Sequence, residues 1–303
     1  MDKAMKLVRR QCTLALVSAV IVVVCVCIGV TMNLTTLYDE NFDHMGLRTF
    51  CMFTVNSNIL TAAAMSMVIP YTVDGLRTHY YRMPRWIVVF VFAAVTSVTL
   101  TFLVSLFVLA PVKGFVLIFT GSRFFLHGVC PVLAFLAFCF FMSAKRLSFV
   151  ESLLSLIPVL IYAVIYYIMV AVVGEERGGW NDFYGFLTRI PAWLSMTLIL
   201  PLTFCIASLI RFFHNRSYHR REEAEAAFFR AEFANADTRK IVAAMARARG
   251  ASMKMRDILI PTRIFSILLE SSGDDCSMEE LCEIFLKEYA ANSEVLKMEK
   301  LWL

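Results

Sequence analysis

Six long apolar runs, separated by short polar stretches, organise the first two-thirds of the chain. They cover residues 11–32, 49–73, 86–110, 124–143, 149–173 and 190–211. Each is roughly 20 residues or more, the length an α-helix needs to cross a bilayer core. None shows the full polar face of a helix lying half in water. Hydrocarbon offers no water to backbone groups, so each segment must satisfy its own, and helix is the expected conformation. The pattern predicts an all-α, polytopic membrane protein with a six-helix transmembrane domain over 1–211 and a cytoplasmic helical tail over 212–303. Residues 112–123, which contain Phe115-Val116-Leu117-Ile118-Phe119, either extend the third helix or lie in the interface.

The composition changes near Phe212. Residues 222–249 are rich in Glu, Ala and Arg, with Phe228, Phe229, Phe233, Ile241, Val242 and Met245 at roughly helical spacing. Gly250 is a natural stop. Ser277-Met278-Glu279-Glu280 forms a capping box ahead of Leu281, Ile284, Phe285 and Tyr289. The tail therefore reads as three or four amphipathic helices, forming a small domain or one that depends on a partner. Residues 222–303 are the surface expected to take a cytoplasmic protein partner or to self-associate.

Of the 303 residues, 59% are hydrophobic, against about 45–50% in a soluble domain. Charge adds an orientation. Thirteen Lys and Arg residues fall at the N-terminus, between runs two and three, between runs four and five, and at and after the end of run six (Arg211, Arg216, Arg220 and Arg221); five fall in the alternate loops. Basic residues stay on the cytoplasmic side. Both termini are thus expected in the cytoplasm, and in a bacterium the membrane would be the plasma membrane. The basic start, Lys3, Lys6, Arg9 and Arg10, resembles a signal peptide. The apolar core is too long for one, and no small-residue cleavage site follows, so the first run is expected to stay as an anchor. Nine cysteines occur with no metal-ligand spacing; they read as small buried apolar residues, with no disulfide framework. No metal or cofactor is expected. Nucleic-acid binding is excluded, because the basic residues flank membrane spans without aromatic interleaving. Membrane lipids are the expected partners. Asn33-Leu34-Thr35 matches a glycosylation acceptor but sits too close to a helix end.

Chemistry is sought where polar groups enter lipid. Four of the six residues in Phe53-Thr54-Val55-Asn56-Ser57-Asn58 carry hydroxyls or amides. Thr54, Asn58, Thr61 and Met65 fall on one helix face, and Asn56 points elsewhere. His127 is the one histidine within the six runs, and an intramembrane ionisable residue is a functional candidate by default. Both helices enter from the same side, with Thr54 about 10 Å and His127 roughly 5 Å below their entry points at 1.5 Å per residue. Tyr166 lies at a similar level. Pro131, four residues after His127, removes the helical donor to the His127 carbonyl and loosens the helix there.

This constellation suits a threonine nucleophile, weak until a base takes its proton, with neutral imidazole as that base. Asn56 or Asn58 would donate to a developing oxyanion, and Asp182 or Glu176 would orient the histidine. Chemistry near the outer leaflet suits a lipid-like ester or amide. The competing reading is packing, since Thr, Ser and Asn commonly hold membrane helices together. Ser97, Thr101 and Ser105 on the third helix read as packing, and Trp180-Asn181-Asp182-Phe183-Tyr184 as interfacial anchoring.

Phe53, Thr54, Ser57 and Asn58, followed by His127 and Pro131, resemble the Phe-Thr-x-x-Ser-Asn and His-x-x-x-Pro stretches of the androgen-induced membrane protein family and its bacterial six-span relatives. The resemblance covers roughly 45–211. It implies an intramembrane threonine hydrolase of fatty acid esters, with Thr54 and His127 as the catalytic pair and Asn56, Asn58, Tyr166 and Asp182 near the substrate. The loop Gly179–Phe186 stands where the family has a proline-containing aromatic loop, but carries no proline, and Thr188 stands near its acid. The alternative is a non-catalytic membrane module that binds lipid or recruits a cytoplasmic partner through its tail.

Overall fold

A computed structural model describes residues 2–35, 46–78, 83–142, 146–185 and 192–232. The described residues are overwhelmingly helical, with no strand among them. The helices are α1 (Asp2–Thr35), α2 (Phe53–Thr78), α3 (Arg85–Val104), α4 (Ala110–Lys113), α5 (Phe115–Ile118), α6 (Cys130–Leu136), α7 (Phe149–Leu154), α8 (Ile157–Tyr167) and α9 (Ala192–Glu232). Short π-helical segments join several of them. Six stretches are long and apolar enough to span a membrane: Arg9–Thr35, Phe53–Arg77, Arg85–Lys113, Phe124–Phe141, Phe149–Val173 and Thr197–Tyr218. The chain is a multi-pass integral membrane protein.

The third span lies at the centre. Two-thirds of its most apolar window (67%) is buried in protein, against 11% for the fifth, the least buried of the six spans. Val91, Phe92, Ala94, Val95 and Val98 of α3 meet Ala64, Met65 and Val68 of α2 and Ala134 and Phe138 of the fourth span in one core. Phe92 stacks on Phe138 with ring centroids 5.8 Å apart. Ser97, Thr101 and Ser105 are buried, as packing requires; the Thr101 and Ser57 hydroxyls lie 3.0 Å apart.

The open question over residues 112–123 resolves into a break. The third span continues through a π segment at Ser105–Leu109 into α4. Gly114 then takes φ +97°, a value that side chains rarely adopt, and α5 starts as a separate turn. Two of the π segments end one residue short of a proline. Ala110 N–H donates to Ser105, five residues back, ahead of Pro111. Cys130 N–H donates to Phe125 in the same register ahead of Pro131. A missing N–H disrupts the ordinary ladder, and the wider turn is one way to absorb it.

At the end of the bundle where α3 begins, Glu151 accepts from Ser148 N–H at 2.6 Å and pairs with Arg85. Ser148 in turn caps α7, completing a capping box. Asn215 holds Leu147 by both backbone groups, accepting from its N–H at 2.8 Å and donating to its carbonyl at 3.0 Å.

The apolar pattern places the sixth run at 190–211, yet α9 runs unbroken from Ala192 to Glu232, so no break in the helix marks residue 211. The expected capping box and later tail helices lie outside the described residues. No disulfide joins any of the seven described cysteines. Asn33 is buried and donates to the Thr49 hydroxyl at 3.1 Å, so it serves as a structural amide.

Candidate functional site

The sequence of α2 puts its polar face inward. Asn58, Thr61 and Met65 are fully buried, and Thr54 is half-buried at the first turn. Thr61 donates to Ser57 of its own helix at 2.8 Å and reaches the Ala94 carbonyl of α3 at 3.2 Å. Asn56 faces away, as its position implies, and donates back to Phe50 at 2.8 Å.

Asn58 does more than pack. Its Nδ2 donates to the Thr54 carbonyl at 2.7 Å and to the Leu126 carbonyl at 2.9 Å. Two carbonyl neighbours can only accept, so the amide must present its NH2 here. Both amide hydrogens are therefore committed, and none remains for an oxyanion. Asn58 is a bracket between the first turn of α2 and the turn that carries His127.

The reason for the bracket lies in the π segment Phe124–Val129. In a register of five, the donor to the Leu126 carbonyl would be residue 131, and that residue is proline. Asn58 supplies the missing donor. The sequence places the exposed acceptor at His127, on the assumption of α-helical register; the wider turn moves it one residue back, to Leu126.

His127 is buried, and its Nδ1 lies 3.1 Å from the Ile118 carbonyl of α5. A carbonyl accepts, so Nδ1 carries the proton and Nε2 holds the lone pair in the neutral ring. The Phe119 ring stands edge-on at 6.5 Å. Neither Asp182 nor Glu176 orients the histidine. Asp182 accepts from the Tyr166 hydroxyl at 2.7 Å, and Glu176 is exposed.

Thr54 has different neighbours. The Tyr184 hydroxyl accepts from Phe53 N–H at 3.0 Å and also interacts with the N–H and side chain of Thr54 and with the Tyr162 hydroxyl. Tyr162 donates to the Cys51 carbonyl at 2.6 Å. Because that carbonyl only accepts, Tyr162 spends its proton on Cys51. Burial pushes the Tyr184 phenol above the ordinary tyrosine range, with the hydrogen bonds it accepts pulling the other way. Tyr166 is buried and also accepts from Tyr184 N–H at 3.2 Å. Tyr162, Tyr166, Trp180, Phe183 and Tyr184 form one aromatic cluster. The loop is thus more than an interfacial anchor.

Among the described residues no hydrogen bond joins Thr54 to His127; Asn58 links their turns instead. Sequence reasoning missed two participants, and a buried histidine away from the site. Ile118 acts through its backbone, which no side-chain pattern announces. Tyr184 lies 131 residues from its partner Phe53. His214 is fully buried, stacked on Phe138 at 4.7 Å with Nδ1 3.0 Å from the Phe138 carbonyl. His127 is therefore not the only histidine buried in a span. The sixth span reaches Tyr218, beyond the apolar run, and that extension is what takes His214 inside. Among the described residues, no group of His, Cys, Asp and Glu is arranged to hold a metal.

No known protein family, curated protein or solved structure matches this chain.

Proposed function

We propose that this integral membrane protein is a hydrolase of lipid esters, with Thr54 as nucleophile and His127 as base. The observation that carries the reading is the Asn58 bracket. It joins the Thr54 and His127 turns while Nδ1 of His127 is held by a carbonyl. The Nε2 lone pair is left to accept a proton. In the reaction Nε2 takes the Thr54 proton as Oγ bonds to the ester carbonyl carbon. Collapse breaks the carbon–oxygen bond to the alcohol, which leaves with that proton, and water then hydrolyses the acyl-threonine. The resemblance of Phe53-Thr54, Ser57-Asn58 and His127-x-x-x-Pro131 to the androgen-induced family supports the same pair. The basic residues support cytoplasmic termini. Purified full-length protein, offered a panel of long-chain lipid esters, should hydrolyse at least one. Thr54→Ala and His127→Ala should each remove that activity, and full activity in both variants would sink the assignment.

One observation favours a second reading. Among the described residues the Thr54 hydroxyl makes no hydrogen bond to His127, and the Tyr184 hydroxyl sits at the adjacent Phe53 N–H instead. In a non-catalytic module this polar face would only pack or hold a lipid, and residues 222–303 would recruit a cytoplasmic partner. Loss of partner capture on deleting that tail, with no hydrolysis in the intact chain, would support it.

A further inference from the structure

Residues 174–185 divide into two parts with different supports. The first part closes the end of the fifth span. Gly174 N–H and Trp180 N–H both donate to the Met169 carbonyl, at 3.3 and 3.0 Å, and Gly179 N–H donates to Gly174 at 2.9 Å. This turn is tight: a Cβ on Gly179 would stand 2.2 Å from the Met169 oxygen. The second part, 181–185, has no such backbone ladder to the span. Its short internal turn bonds are Phe183 N–H to Asn181 and Gly185 N–H to Asp182. It is held to the bundle by side chains, through Asp182 on Tyr166 and Tyr184 on the start of α2.

Phe53 is the first residue of α2, so its N–H has no acceptor within the helix. Tyr184 fills that place and covers Thr54 from the same side. While it does so, the group set against the first turn that carries Thr54 is a neutral phenol, which is no base. The Phe53 N–H, beside the proposed nucleophile in the chain, is occupied as well.

We infer that the 181–185 segment is an autoinhibitory latch, with Tyr184 as its bolt, and that a lipid ester reaches Thr54 only when Tyr184 leaves. On release, the first turn of α2 is uncovered and Thr54 can turn its proton to a base. The freed Phe53 N–H then becomes available near Thr54, where a carbonyl oxygen gaining negative charge needs donors. Asp182 and Tyr166 act as the catch that returns the segment. The catalytic consequence rests on the proposed hydrolase, whereas the latch itself does not.

The test separates the two. Thr54→Cys is placed in the full chain in lipid nanodiscs. Alkylation of the introduced thiol by a small maleimide is followed by peptide mass spectrometry, which distinguishes it from the native cysteines. Adding Tyr184→Phe should raise the alkylation rate at position 54 roughly tenfold, the equilibrium effect of losing about one hydrogen bond. Adding Asp182→Ala, which removes the acceptor of the Tyr166 hydroxyl and leaves the Tyr184 hydroxyl in place, should raise it in the same direction. Unchanged rates in both double variants, with both proteins folded by circular dichroism and size-exclusion chromatography, would overturn the latch. Separately, a fluorophosphonate should label Thr54 faster in Tyr184→Phe than in the unaltered chain. Faster alkylation of the introduced thiol, with no Thr54 adduct in either threonine-bearing protein, would retain the latch and remove the hydrolase.

Discussion

Asn58 is the residue through which the site is most sharply perturbed, because its two halves have opposite energetics. Nδ2 makes two buried hydrogen bonds, at 2.7 and 2.9 Å. Side-chain hydrogen bonds in membrane proteins are worth about 0.6 kcal/mol on average and at most about 1.7, so the pair contributes roughly 1–3 kcal/mol. Oδ1 is buried with no hydrogen-bond partner, and such an atom costs about 1–3 kcal/mol. Asn58→Leu removes both the bonds and the orphan acceptor at similar volume. Because the Leu126 carbonyl is orphaned in place of Oδ1, its net cost is that of the lost bonds, about 1–3 kcal/mol. Asn58→Asp keeps the shape but replaces the NH2 with an oxygen facing two carbonyl oxygens. It either buries an unpaired charge or draws a proton into lipid, and should cost about 3–5 kcal/mol. Reversible unfolding in mixed micelles, or steric trapping in bicelles, measures the difference. Equal stability of Asn58→Asp and Asn58→Leu would refute the bracket. A second consequence concerns the Leu126 carbonyl, which loses its donor in both variants. The His127 turn should then loosen, seen as faster amide exchange over 124–130 with the rest of the bundle unaffected.

Other consequences follow from single contacts. Gly179→Ala should destabilise the protein or displace the turn after the fifth span, because the new Cβ meets backbone rather than a movable side chain; a cost above about 2 kcal/mol in the same unfolding assay is expected, and a neutral effect would contradict the closed turn. Glu151→Ala removes the cap on Ser148 N–H and the partner of Arg85 together. It should cost about 1–3 kcal/mol and expose the start of α7 to protease. The Tyr184 phenol is raised in the folded state by burial, so its contribution to stability is present below the ordinary tyrosine value of about 10. That contribution is lost as pH climbs through the raised value. Tyr162, Tyr166 and Asp182 are the titratable groups facing it. The ratio of alkylation rates at position 54 with and without the added Tyr184→Phe change should therefore shrink above pH ~10, the thiolate's own rise being common to both proteins.

The six spans were legible because apolar length is a direct consequence of bilayer thickness, and the α2 stripe because helical period fixes which side chains share a face. The disturbance at His127 was also legible, since Pro131 cannot donate. Its register was not: whether a helix answers a proline with an α-type kink or a π turn depends on what neighbours can supply, and here Asn58 lies 68 residues away from Leu126. The orienting group of His127 escaped because it is a backbone carbonyl. Asp182 escaped in the opposite way. Its chemistry suits a histidine partner, but the fold sets it beside Tyr166. Tyr184 carried no signal beyond being one of several aromatic residues in a loop, and only tertiary contact shows that its hydroxyl completes the start of α2.

Activation of Thr54 by His127 is what the proposed hydrolase stands on, and covalent labelling reads it directly. Full-length protein in detergent, and its Tyr184→Phe variant, should be treated with a fluorophosphonate and the adduct located by mass spectrometry. An adduct on Thr54 that disappears in His127→Ala is the expected result. An adduct that persists unchanged in His127→Ala, or none on Thr54 in either folded protein, would refute the pair.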